Sequence, residues 1–158
     1  MNVADPTKRF SDRVDNYVKY RPTYPPEVLA YLAEQCKLTA DSTIADVGSG
    51  TGISTGLLLA KGYTVFAVEP NPAMQDAAIK QFEANPNFKP VNGTAEATTL
   101  PVNSIDLVVC AQAFHWFDAE KTKTEFKRIL KDNGMVALIW NNRDAKTDAR
   151  VTLEDLLR

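Results

Sequence analysis

The stretch Asp46-Val47-Gly48-Ser49-Gly50-Thr51-Gly52 constrains this chain more than any other, because three glycines alternate where one periodic pattern gives way to another. Ile44 to Gly48 reads as a short buried strand, and Ile53 to Lys61 has the spacing of a helix closed by Gly62. A glycine-rich turn from strand into helix is where an open α/β sheet offers a ligand its crevice. Glycine suits that place because it reaches positive φ without strain and lets another group come closer than a Cβ permits. An ordinary strand-to-helix turn is the plainer reading, and three alternating glycines argue against it.

The alternation continues along the chain. Thr64–Glu69 is a second apolar strand, and Asn71-Pro72 opens a helix with an N-cap and a proline at the first helical position. Lys89–Asn92 reads as a weaker strand and Ser104–Ala111 as a strong one, apolar almost throughout, as a strand covered on both faces should be. Asp118 caps a helix expected to reach Leu130 and to end at Asn133-Gly134, before a fifth strand at Met135–Trp140. A last helix is expected to begin near Asp148. Strands alternating with helices over short loops predict an α/β fold: a mostly parallel sheet, right-handed crossovers and helices on both faces. Ahead of it, residues 1–40 form an N-terminal helical cap segment, with one helix ending before Pro22 and another starting near Pro26. The core occupies 41–158, and the two make one structural domain.

Composition narrows the functions. With 158 residues, a net charge of −2 and no long run of one sign, the chain carries no footprint for nucleic acid or an anionic membrane. No apolar run approaches the roughly 20 residues that cross a bilayer. Cys36 and Cys110 fall in a helix and a buried strand, which fits free thiols and a cytoplasmic setting. One histidine and no paired cysteines argue against a metal site.

The crevice ligand is narrowed by two residues. The dinucleotide fingerprint requires a small residue where this chain has Ile53. Glu69, ending the second strand, can accept hydrogen bonds from both hydroxyls of an adenosine ribose, and it would repel a 2′-phosphate. A nicotinamide-dependent oxidoreductase is therefore the weaker reading.

Asp46 through Gly52 followed by Glu69 resembles the first two motifs of the class I, Rossmann-like methyltransferases. Phe10-Ser11, Tyr17, Arg21-Pro22 and Tyr24-Pro25 resemble the opening of one bacterial and fungal branch, the type 11-like small-molecule enzymes. Gly93-Thr94-Ala95-Glu96, Leu100-Pro101, the block Ala111–Phe117, and Trp140-Asn141 with Arg143-Asp144 continue it in order. The resemblance implies a doubly wound sheet, S-adenosyl-L-methionine as cofactor with S-adenosyl-L-homocysteine as product, and a small-molecule methyl acceptor. It places Gly48, Ser49, Gly50 and Gly52 under the cofactor, Asp46 toward its ammonium, and Glu69 on the ribose. Met74 would pack near the adenine, Thr94, Ala95 and Glu96 would meet its edge, and Gln112 would lie near the methionine moiety. Arg21 would pair the cofactor carboxylate and Tyr20 would line the methyl-transfer pocket. His115, the single histidine, is the candidate general base or acceptor partner; its plainer role is to shape the turn around it.

Members of this class end their sheet with an antiparallel hairpin. Five strands are legible here, so a C-terminally truncated form is expected, with an exposed edge on the fifth strand that offers a route to a homodimer. Weak or absent turnover follows from that expectation, and a non-catalytic S-adenosylmethionine-binding module is the alternative function.

Overall fold

A computed structural model describes residues 23–141 in full, together with the backbone of the strand at 150–154. In chain order the elements are α1 (Pro26–Gln35), β1 (Thr43–Val47), α2 (Ile53–Ala60), β2 (Thr64–Val68), α3 (Pro72–Phe82) and β3 (Phe88–Val91). There follow β4 (Ile105–Ala111), a 3-10 turn (Phe114–Trp116), α4 (Ala119–Ile129), β5 (Leu130–Trp140) and β6 (Arg150–Glu154). They build one sheet in the order β3-β2-β1-β4-β5-β6. The first five strands run parallel and β6 is antiparallel to β5. This is the α/β architecture expected from the alternation.

Local chemistry accounts for the boundaries. Asn71 Oδ1 accepts from the Met74 amide at 3.1 Å and Asp118 Oδ1 from the Lys121 amide at 3.2 Å, so both helices start where their caps predict. Gly62, at φ +88°, closes the end of α2 by donating to the Leu59 carbonyl at 2.9 Å.

Alternation along the strands divides the core in two. Ile44, Val65, Leu107, Val109 and Ile139 face α1, α2 and α3, while Val47, Val108, Cys110 and Leu138 face Phe126 and Ile129 of α4. A sheet covered on both sides explains why β4 reads as one unbroken apolar run. Among the described residues no helix is long and apolar enough to cross a membrane.

The C-terminal expectation needs correction. A strand, not a starting helix, follows Asp148: Arg150–Glu154 pairs with Trp140–Val136 in antiparallel register. The edge of β5 is therefore not left open, and the homodimer route argued from an unpaired fifth strand loses its basis. The physical reason is that β5 presents a row of N–H and C=O groups, and a returning strand satisfies them within the chain. A smaller difference lies upstream. The α4 helix stops at Ile129, and the register slips so that Ile105 pairs Leu130 but Leu107 pairs Met135, with Asn133-Gly134 in that irregularity.

Candidate functional site

Strand order reverses between β1 and β4, and their carboxyl ends part there to leave the crevice such sheets use for ligands. The glycine loop rises from β1 at this point. Gly48, Gly50 and Gly52 take φ of +72°, +58° and +92°, which explains the residue type at all three positions. Gly48 and Ser49 donate to the Val68 carbonyl at 2.9 and 3.2 Å, fixing the loop on the end of β2.

The bare faces of two of these glycines meet protein. A Cβ on Gly48 would stand 2.7 Å from Ala113 Cβ and 3.1 Å from the Phe117 ring; one on Gly52 would stand 2.7 Å from the Phe82 ring. Close packing of Ala113, Phe117 and Phe82 thus favours glycine at these positions, in addition to the positive φ and ligand approach expected of them. Beside them opens a shallow cleft lined by Tyr24, Gly48, Ser49, Thr51, Ile53, Ser54 and Ala111.

Two buried carboxylates underlie the loop. Glu69 is 8% exposed; its Oε2 accepts from the Gly50 amide at 2.8 Å and its Oε1 from the Asn71 amide at 2.9 Å. Asp46 is fully buried, and one oxygen accepts from the Ser54 and Thr55 hydroxyls at 2.6 and 2.7 Å. Among the described residues its other oxygen, Oδ1, has no partner, nor does the buried Ser49 hydroxyl. Burial pushes both carboxyls above their ordinary values, against the pull of these hydrogen bonds. Neither is ion-paired among the described residues. Such a site holds spare acceptor capacity and selects a ligand that brings donors or positive charge.

The remaining candidates divide. Met74 is buried at 4% exposure on the first turn of α3. Gln112 follows β4 in the left-handed region, φ +56°, its amide donating to the Ile139 carbonyl at 2.7 Å and its side-chain amide to the Tyr24 hydroxyl at 3.3 Å. A non-glycine residue held there by two bonds is strained in the way residues at ligand sites are. Thr94 closes a turn onto Ala97, whose amide donates to the Thr94 hydroxyl at 3.1 Å. Ala95 is buried, and Glu96 accepts from the Asp118 amide at 2.8 Å, so its carboxylate is tied to the start of α4. His115 is exposed, its ring 4.7 Å from that of Trp116. Tyr20 and Arg21, with Tyr17, lie outside the described residues.

One cluster was missed. Glu125 and Arg128, on α4, grip the loop that follows β3. Their spacing of i and i+3 with Thr98 upstream was the available signal, and it is indistinguishable in sequence from a solvated helix face.

Fold and site together define an open α/β protein with a carboxylate-floored crevice at its switch point. Residues 45–138, more than half of the chain, match the family described as Methyltransferase domain. An uncharacterized methyltransferase of Schizosaccharomyces pombe is 38% identical over 138 residues, covering 87% of this chain and 54% of that protein. Among solved structures, an S-adenosylmethionine-dependent methyltransferase from Aquifex aeolicus matches at TM-score 0.68 and 19% identity, over 89% of this chain and 77% of that one. Haemonchus contortus phosphoethanolamine N-methyltransferase 2, solved with phosphomonomethylethanolamine and S-adenosylhomocysteine, matches at TM-score 0.73 and 18% identity, over 86% and 34%. The chain belongs to the methyltransferase family. It spans about half the length of the curated relatives it matches, 54% of the S. pombe protein and 56% of one from Mycobacterium bovis.

Proposed function

We propose that this chain binds S-adenosylmethionine across the carboxyl ends of β1, β2 and β4 and presents its methyl group to a small-molecule acceptor. The observation that carries the reading is Glu69, buried at the end of β2 with two backbone amides on its oxygens and no cation beside it among the described residues. A carboxylate has about four lone-pair positions, so two remain for a ribose diol. The two unpartnered groups, Asp46 Oδ1 and Ser49 Oγ, suit an ammonium, met directly or through water. Met74 and the Thr94–Glu96 turn flank the adenine in this reading, Gln112 lies by the methionine moiety, and Arg21 and Tyr20 come from the N-terminal segment.

The cofactor supplies an already activated methyl group. What the protein adds is alignment, holding the acceptor roughly 3–3.5 Å from that carbon and on its axis. His115, after β4 on the crevice side, takes the acceptor's proton where the acceptor must lose one. The setting proposed is cytoplasmic, and no nucleic-acid or membrane partner is invoked.

Calorimetric titration with S-adenosylhomocysteine, with NAD as the contrasting ligand, tests the reading. Binding of the first and not the second is expected, weakened at least about tenfold in Glu69→Gln, since hydrogen bonds to a charged group contribute about 1.5–3 kcal/mol. Folded protein that ignores S-adenosylhomocysteine would overturn it. Labelled methyl on an acceptor then separates transfer from binding alone.

A further inference from the structure

Between β3 and β4 the chain forms a loop whose first half leaves the carboxyl end of β3 and whose second half is gripped by α4. Glu125, 8% exposed, accepts four hydrogen bonds: from the Thr98 amide at 2.9 Å, the Thr98 hydroxyl at 2.6 Å, and Arg128 Nε and Nη2 at 2.8 and 2.7 Å. Arg128 Nη2 also donates to the Leu100 carbonyl at 2.8 Å. The pair thus holds the residues on either side of Thr99. Thr99 takes φ +67°, a conformation that β-branched residues avoid. Residues held in such regions persist only where their surroundings over-determine them, and these bonds supply that constraint.

The grip passes directly into the turn. Thr94 and Ala97 exchange backbone hydrogen bonds of 3.1 and 3.2 Å, and one peptide separates Ala97 from the clamped Thr98. The returning chain crosses Gly93 so closely that a Cβ there would stand 2.8 Å from the Thr98 carbonyl oxygen. Glu96 ties the same turn to the Asp118 amide at the other end of α4. The loop is therefore held on one helix at both of its ends. An exposed ion pair contributes little; this one is buried on its acid side and bonded to backbone. The Arg128 guanidinium draws the Glu125 carboxyl down to about 2, so the clamp stays charged at any ordinary pH.

We propose that Glu125 and Arg128 are positioning residues: through Thr98 and Leu100 they keep the Thr94–Glu96 turn in the shape that receives the adenine half of the cofactor. This role rests on the S-adenosylmethionine reading above. A turn that holds its binding shape only a fraction of the time weakens apparent affinity by the reciprocal of that fraction. The effect belongs to ligands carrying the adenosine group and needs no contact between Glu125 and the ligand.

The test is calorimetry on Glu125→Gln and Thr98→Val with two ligands, S-adenosylhomocysteine and adenosine, at a temperature where circular dichroism shows each variant folded. Thr98→Val removes one hydroxyl, which donates to Glu125 and accepts from the Leu100 amide, so it keeps the test open should Glu125→Gln not fold. Both ligands should weaken by the same factor, about tenfold for a turn that keeps its shape a tenth of the time. Asp106→Asn serves as control: it loosens the Lys131 pair and the Thr43 amide at the amino ends of the strands, far from the crevice. Its affinity should stay at the wild-type value. Wild-type affinity in either folded clamp variant would overturn the inference, as would equal weakening in the control. Wild-type protein that binds no S-adenosylhomocysteine overturns the cofactor reading itself, and the positioning role with it.

Discussion

The loop after β1 and the loop after β3 each centre on a glutamate that is 8% exposed, yet the two carboxyls are driven in opposite directions. Glu69 meets two backbone amides, and burial leaves it above its ordinary value of 4.5. Glu125 meets a guanidinium and Thr98, and falls to about 2. Burial dominates at Glu69, whereas at Glu125 the hydrogen bonds from the Arg128 guanidinium outweigh it. The first carboxylate opposes folding when ionised and keeps unused acceptor capacity; the second favours folding and has its positions filled. The loops differ in construction to match, one shaped by glycine backbone and the other by side chains anchored on α4.

The largest effect expected is on the clamp. Glu125→Ala should lower stability by about 2–4 kcal/mol at pH 7, since it strips the acceptor from two donors of buried Thr98, while Arg128, with its side chain 41% exposed, can turn to water. Because the folded carboxyl titrates below its ordinary 4.5, its contribution is complete above that value and is lost as pH falls toward about 2. Denaturant melts of wild type and variant should therefore converge in acid. Next comes Gly52→Ala, expected to cost about 2–3 kcal/mol, partly from the left-handed backbone and partly from collision with the Phe82 ring. Adding Phe82→Leu should return the collision share, and no recovery in the double variant would count against packing as the reason for glycine there.

Glu69→Gln should change stability by less than about 1 kcal/mol at pH 7, because the lost amide acceptor is offset by relief of a buried charge. The sign with pH is opposite to that of Glu125. A carboxyl raised above 4.5 favours the folded state below that pH and loses this advantage as pH rises through its folded value, so wild type should gain on the variant toward acid. A loss in Glu69→Gln as large as in Glu125→Ala would break the contrast between the loops.

How legible each loop was in the sequence follows from its construction. The loop after β1 announces itself, since Gly48, Gly50 and Gly52 lie between an apolar strand and a helical pattern, with Glu69 at the next strand end. Caps were legible for the same reason: Asn71-Pro72 and Asp118 act on residues within three positions. The reason for glycine was less legible, because Phe117 and Phe82 meet Gly48 and Gly52 only through the fold. In the loop after β3 the chemistry is long-range, joining Thr98 to a glutamate 27 positions away. Nothing local marks Glu125 or Arg128 off from a solvated pair. The sixth strand escaped by competition: Arg150-Val151-Thr152-Leu153-Glu154 alternates as a strand, but the pattern from Asp148 also suits a helix start, and pairing with β5 decided it.

The smallest effect extends the contrast to a side chain with neither depth nor a charged partner among the described residues. His115 is exposed on the turn after β4, its ring beside Trp116. Substitution by asparagine removes no buried bond, so stability should stay within about 0.5 kcal/mol. Affinity for S-adenosylhomocysteine should likewise hold within about twofold, since the folded shape of the glycine loop is carried by Glu69, Phe117 and Phe82 rather than by the imidazole. If His115 serves the acceptor as a base, the loss falls on methyl transfer alone, by about 100-fold or more. If transfer is unchanged with an acceptor that must shed a proton, the histidine belongs to the turn. A shift in cofactor affinity instead would place it with Glu69, among the groups proposed to bind.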